Sequence, residues 1–141
     1  MSLSKIFISL FSVMAISLVG CSQQPSASKD TPKAASAELI KHLNANSFSA
    51  ETQKGLVMVD FCATWCPPCR QMAPVLDEVA KDVKGKATIA KVDVDENRQL
   101  ASQYNIQGIP TLILFKDGKE IARFVGLQSK DYLVQQLNQV Q

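Results

Sequence analysis

Two cysteines separated by two prolines lie at the junction between a strand pattern and a helix pattern. The run from Leu56 to Phe61 is apolar except for Asp60 and includes β-branched residues, which is typical of a buried strand. From Arg70 to Val83 the apolar residues recur at helical spacing, which predicts a long helix. Cys66 and Cys69 would then lie at a helix N-terminus, where the macrodipole favours a thiolate. Their position predicts a redox site.

The rest of the chain alternates strand patterns with helix patterns. We expect strands at Ile40 to Leu43, Leu56 to Cys62, Ala87 to Asp93, Thr111 to Lys116 and Glu120 to Val125. We expect helices at Ser47 to Gln53, Pro67 to Val83 and Glu96 to Tyr104, and a last helix capped by Ser129 with an apolar stripe of Tyr132, Leu133, Leu137 and Val140. This order indicates an α/β fold, with a mostly parallel sheet covered on both faces. A hairpin across Asp117-Gly118 makes the sheet mixed.

Several further motifs follow the cysteine pair in a set order. They are Trp65-Cys66-Pro67-Pro68-Cys69, Pro74, Lys91 to Asp95, Gly108 to Thr111, Phe115 to Gly118, and Gly126. From about Glu38 to its C-terminus the chain resembles the thioredoxins. The resemblance implies the thioredoxin fold, a central mixed β-sheet flanked by helices on both faces. It also implies an enzyme that exchanges thiols and disulfides with proteins.

The resemblance implies that Cys66 and Cys69 form the redox disulfide. Cys66 is expected at the N-cap as the attacking thiolate, with the backbone N–H of Cys69 as its remaining donor because prolines have none. Cys69 is expected to be the more buried, resolving thiol. A static stabilising disulfide is the alternative, although such a small loop stabilises least.

Asp60 and Lys91 match the family's carboxylate and lysine behind the cysteine pair. Asp60 and Cys62 should point to one face of their strand, and Phe61 to the other. By resemblance, Asp60 accepts the proton of the resolving thiol, directly or through water. The alternative is an ordinary structural polar pair.

The Gly108 to Thr111 stretch resembles the family loop whose proline is cis. It would place the backbone of Ile109, next to Pro110, opposite Cys66, where an extended substrate segment could pair. Trp65, Ile109 and Gly126 would form a small apolar rim that binds substrate. An ordinary trans turn, and a tryptophan that serves packing alone, are the alternatives.

Two residues depart from the common thioredoxin pattern. Pro67 replaces the usual glycine, a form that also occurs in tryparedoxins and nucleoredoxins. Cys62 replaces the usual tryptophan and is either a small inert hydrophobe or a thiol that can be oxidised or trap a partner.

The first 37 residues have the composition of a targeting segment and a tether. Residues 1–20 combine Lys5 with an apolar run too short to span a membrane, which is typical of a signal peptide. The sequence Leu18-Val19-Gly20-Cys21 resembles a bacterial lipobox, so we expect Cys21 to be lipidated; an ordinary secretory signal is the alternative. We interpret residues 21–37 as a flexible tether and 38–141 as the thioredoxin-like domain. We expect a lipid-anchored protein of the bacterial envelope that faces the periplasm, with the outer membrane weakly favoured.

Composition and cysteine usage exclude several other classes of protein. The formal charge of +2 is small, and the sequence has no basic stripe that would suggest binding of nucleic acid. One Cys-x-x-Cys and the single histidine, His42, provide too few ligands for zinc, and we expect neither metal nor cofactor. We expect a monomer that reduces protein disulfides and receives electrons from a membrane thiol transporter. A disulfide oxidase or isomerase, and a non-redox peptide-binding or chaperone module, are the rival hypotheses.

Overall fold

The computed structural model describes residues 39–140; the expected signal peptide, Cys21 and the tether lie outside the described residues. The described strands are β1 (Ile40–His42), β2 (Leu56–Cys62), β3 (Thr88–Asp93), β4 (Thr111–Lys116) and β5 (Lys119–Val125). The helices are α1 (Phe48–Thr52), α2 (Pro67–Asp82), α3 (Arg98–Gln103) and α4 (Lys130–Gln139). Over residues 39–140, no helix has the length and apolar character needed to cross a membrane.

The five strands form one mixed sheet in the order β1-β3-β2-β4-β5. β3 pairs in parallel with β1 and β2, whereas β4 is antiparallel to β2 and β5 is antiparallel to β4. β2 is central, and every residue from Leu56 to Phe61 is buried. This burial on both faces explains why the strand is an almost continuous apolar run. The mixed sheet confirms the predicted fold class.

Helices cover both faces of the sheet because the side chains of β2 alternate between two cores. Met58 belongs to the core that contains α2 and α4, including Met72 and Leu137. Val59 and Phe61 belong to the opposite core, which contains Phe48 of α1 and Leu100 of α3. The cysteine pair lies at the start of α2, so packing of α2 in the core that contains Met58 fixes the position of the pair.

The β4–β5 hairpin has the predicted two-residue turn. Asp117 and Gly118 have φ angles of +49° and +83°, both in the left-handed region. Such a turn matches the natural twist of the two strands and favours a glycine.

Several element bounds differ from the predicted ones. β1 ends at His42, and Leu43 is instead buried in the core behind it. α3 begins at Arg98 because the Asp93 carboxylate accepts hydrogen bonds from the backbone N–H groups of Asp95 and Glu96, which holds them in a turn. Of the predicted apolar stripe of α4, Leu133 and Leu137 are buried, whereas Tyr132 lies at its exposed margin. Its side chain is 40% exposed and its ring contacts Phe124 edge-on.

Candidate active site

The cysteine pair lies at the first turn of α2, as predicted. Cys66 is the N-cap in an extended conformation, and its Sγ accepts a hydrogen bond from the Cys69 backbone N–H at 3.3 Å. Pro67 and Pro68 occupy the first two helical positions, where a missing N–H costs nothing. The two Cα atoms are 5.3 Å apart and the sulfur atoms are bonded. The sequence therefore folds this turn so that its two sulfur atoms meet.

The expectation that Cys69 is more buried than Cys66 was wrong. Cys66 is 3% exposed and Cys69 is 5% exposed, and both pack with Ala63 in one small cluster. Burial alone does not distinguish the two sulfurs in the oxidised protein, so their roles depend on their partners along the chain.

The Gly108 to Thr111 loop reaches the same cluster from the start of β4. The Ile109–Pro110 peptide bond is cis, as predicted. The carbonyl oxygen of Ile109 lies 3.7 Å from Cys66 Sγ, and its side chain packs against the cysteine cluster. Gly126, with φ of +81°, donates its backbone N–H to the Pro110 carbonyl at 2.8 Å. The backbone of Ile109 thus lies beside Cys66, and Gly126 is held against the proline that follows Ile109.

Trp65 extends into solvent beside the site and is 64% exposed. Its indole N–H donates a 2.6 Å hydrogen bond to the Asp95 carboxylate, which follows β3. Arg70 of α2 donates to the Trp65 carbonyl and supports the same loop. A role in core packing does not account for so exposed a side chain. The contact between Trp65 and Asp95 was not predicted from the sequence. The feature that could have indicated it is the position of Asp95, an acidic residue just after β3, since β3 and β2 pair in parallel and end side by side.

Asp60 is buried behind the cysteine pair, on the β2 face that carries Cys62 and not Phe61. It is 1% exposed, and among the described residues neither carboxylate oxygen has a hydrogen-bond partner that meets the usual distance and angle. Lys91 is its register partner on β3. A cleft of about 470 Å³ is lined by Asp60, Cys62, Cys69 and Lys91 among others. The structure therefore brings Asp60, Cys62 and Lys91 together behind the disulfide.

Burial changes the acidity of two of these groups. Burial raises the pKa of Asp60 from 3.8 to about 6, and the Lys91 charge and a weak polar contact with the Cys62 thiol only partly oppose it. Burial and the Asp60 charge raise the pKa of the Cys62 thiol to about 12. Asp60 can therefore take up and release a proton close to neutral pH. Cys62 keeps its proton there, which favours the inert alternative for this residue.

Comparison with known proteins agrees with this geometry. The family described as Thioredoxin matches residues 39–139. The chain belongs to the thioredoxin family. It is 49% identical over 100 residues to the thioredoxin of Staphylococcus aureus, which covers 71% of this chain and 95% of the relative. It resembles the structure of a mutant thioredoxin from Halobacterium salinarum, with a TM-score of 0.67 and 37% identity, over 71% of this chain and 88% of that one.

Membership of the thioredoxin family makes the chain a thiol–disulfide oxidoreductase that acts on protein disulfides. The Cys66–Cys69 pair is the group at disulfide distance in the described residues, so the redox chemistry belongs there.

Proposed function

We propose that this thioredoxin-family protein is a membrane-tethered, extracytoplasmic reductase of protein disulfides. The observation that carries the direction of the reaction is the hydrogen bonding of Cys66. In the described part of the chain its sulfur accepts from one backbone N–H, that of Cys69, since Pro67 and Pro68 have none. A thiolate with little stabilisation makes the dithiol a better reductant.

In the proposed mechanism, the Cys66 thiolate attacks one sulfur of a substrate disulfide. A Cys66–substrate bond forms, and the other substrate sulfur leaves as a thiolate. The Cys69 sulfur then attacks Cys66 while its proton passes to Asp60, directly or through a water in the cleft. The Cys66–Cys69 disulfide forms and the second substrate thiol is released, so two electrons move from the enzyme pair to the substrate pair.

The backbone beside the sulfur supports binding of an extended segment. The Ile109 carbonyl lies next to Cys66, and Gly126 is held against Pro110. A substrate strand that pairs with this backbone would present its disulfide to Cys66 with little dependence on sequence. The exposed Trp65 side chain adds apolar surface at the rim.

The role assignment predicts which cysteine traps partners. In Cys69→Ser, Cys66 still attacks but no thiol resolves the product, so mixed disulfides should accumulate; in Cys66→Ser they should not. Non-reducing electrophoresis and mass spectrometry measure the trapped species. Trapping through Cys69 in the Cys66→Ser variant would reverse the roles. Activity that survives the double substitution would instead indicate a binding or chaperone module.

The proposed anchor is a lipid on Cys21, because several acyl chains together hold a protein stably on a membrane. An exported reductase must be recharged, and we propose a membrane thiol transporter as its electron donor. Cys21→Ala should give either an unprocessed or a soluble exported protein. Cell fractionation with signal-cleavage mapping measures this. A variant that is cleaved normally and stays on the membrane would contradict the lipid anchor.

A further inference from the structure

Three polar residues form a row across three neighbouring strands. Asp60 on β2 pairs in register with Lys91 on β3, and Lys91 pairs in register with His42 on β1. All three side chains line the same cleft as Cys69. The row runs from the buried centre of the sheet to its edge strand, since Asp60 is 1% exposed and His42 is exposed.

A proton that reaches Asp60 from Cys69 has to leave a buried site before the next catalytic cycle. Apart from the weak polar contact with the Cys62 thiol, neither carboxylate oxygen has a hydrogen-bond partner among residues 39–140, and the cleft that Asp60 lines has room for water beside it. We propose that His42 is the outer station of a proton path that connects Asp60, through water in this cleft, with the solvent. The inference rests on the dithiol chemistry of the proposed function and adds a residue to it.

Four of the five other titratable groups that face the cleft are less suited to this transfer. Beside Asp60 and His42, the five are Cys62, Arg70, Lys91, Asp93 and Glu96. Charged Lys and Arg side chains have no site that accepts a proton. The Cys62 thiol stays protonated near neutral pH, because its pKa is raised to about 12. The Asp93 carboxylate already accepts two backbone N–H groups. A histidine ring has two nitrogen atoms, so it can accept a proton on one and donate a proton from the other.

The path requires water between its ends. Neighbouring strands are about 4.8 Å apart, so the backbones of Asp60 and His42 are separated by about 10 Å. In the reaction the Cys66–Cys69 bond forms and the Cys66–substrate bond breaks. The proton of Cys69 goes to Asp60, then through water to His42, and from His42 to the solvent, where the leaving thiolate takes up an equivalent proton. Reduction of the pair reverses each step.

The test compares purified full-length wild-type protein with His42→Gln. Lys41→Gln is the matched control, because Lys41 neighbours His42 on β1 and ion-pairs with Glu51, an exposed contact of little energetic weight. The reduced proteins are mixed with glutathione disulfide in dilute buffer that transfers protons poorly, between about pH 5.5 and 8.5. Formation of the Cys66–Cys69 disulfide is followed by quenching and mass spectrometry. Each measurement is repeated with added imidazole.

We expect His42→Gln to form the disulfide about fivefold more slowly, imidazole to restore its rate, and its redox potential to equal that of the wild type. Lys41→Gln should match the wild type throughout. Equal rates for His42→Gln and wild type would overturn the proton path. So would slowing that imidazole does not restore, or a changed potential, because both would indicate an electrostatic or structural effect. Insulin reduction by the wild-type protein is measured in parallel. A wild type that reacts with glutathione disulfide but does not reduce insulin would contradict the reductase function. The comparison of His42→Gln with wild type would still decide whether the proton path exists.

Discussion

Asp60 is the proposed proton acceptor of the active site, and the fold buries its carboxylate at a cost in free energy. A carboxylate without hydrogen bonds is costly to bury, so the folded protein favours its protonated form. The pKa near 6 expresses this cost and also makes the group useful, because it can change its protonation state in the pH range where thiols exchange. The proposed catalytic use of Asp60 and the stability of the fold therefore conflict at this one side chain.

Replacing this carboxylate with an amide should stabilise the oxidised protein at neutral pH. The rise in pKa from 3.8 to about 6 means that the folded state holds the proton more tightly than the unfolded state. The stability due to protonated Asp60 is present below about pH 4 and is lost as the pH rises through 6. Asp60→Asn should therefore raise the free energy of unfolding by about 2–3 kcal/mol at pH 7.5 and by much less at pH 3.5.

Urea unfolding at the two pH values measures this difference. Asp77→Asn is the control, since Asp77 is an exposed carboxylate on α2. An Asp60→Asn gain that is the same at both pH values would show that burial of the charge is not its cause. The same variant should also react more slowly at the resolving step, because an amide cannot take the Cys69 proton.

The first turn of α2 sets the surroundings of Cys66, the proposed attacking thiolate. Helix N-termini usually present several free N–H groups to an anion. Here Pro67 and Pro68 remove two of these N–H groups, and the Cys66 sulfur accepts its hydrogen bond from the Cys69 N–H. The helix thus supplies its macrodipole to Cys66 but few directed hydrogen bonds.

Pro67→Gly should make the cysteine pair more oxidising. The substitution restores one backbone N–H near the Cys66 sulfur. A well-made hydrogen bond to a charged group contributes about 1.5–3 kcal/mol. A donor at the first helical position is poorly aimed, so only part of this energy is expected. The redox potential should rise by about 10–30 mV. Glycine also loosens the turn, which acts in the opposite direction. Equilibration with glutathione measures the potential, and a more reducing pair would show that the stiffness of the turn dominates.

The sheet separates two hydrophobic cores in the described domain, one on each face. Ile89 lies in the core covered by α2 and α4, and Ile113 lies in the core covered by α1 and α3. The active site draws on the first core through α2 and on the loop before β4. Mutations in different cores should therefore act independently on stability.

Ile89→Val and Ile113→Val should each lower the free energy of unfolding by about 1 kcal/mol, and together by the sum within about 0.5 kcal/mol. The matched pair is Ile89→Val with Met58→Leu, because Met58 is the register partner of Ile89 in the same core. That pair should deviate from additivity, since its two side chains lie side by side in one core. Guanidinium unfolding of the single and double variants measures both couplings. Strong coupling between Ile89 and Ile113 would show that the sheet transmits packing changes between its faces.

Local features of the chain were predictable because they depend on neighbouring residues. The bounds of β2 and β4, the Asp117-Gly118 turn and the Ser129 cap of α4 agree with the structure. Hydrophobic periodicity and turn chemistry act over a few residues, so the linear sequence carries their signal. The Cys66 N-cap and its Cys69 donor follow from the same local rules, because Pro67 and Pro68 have no N–H to donate.

Contacts between distant segments were decided by the folded sheet. The bond from Trp65 to Asp95, the equal burial of Cys66 and Cys69, and the exposure of Tyr132 were not predicted. The row that leads from Asp60 to His42 exists only because parallel register aligns three strands far apart in the chain. A residue's type reveals which chemistry it can perform, whereas its burial and its partners come from strands and loops that meet only after folding, and these set the acidity of Asp60.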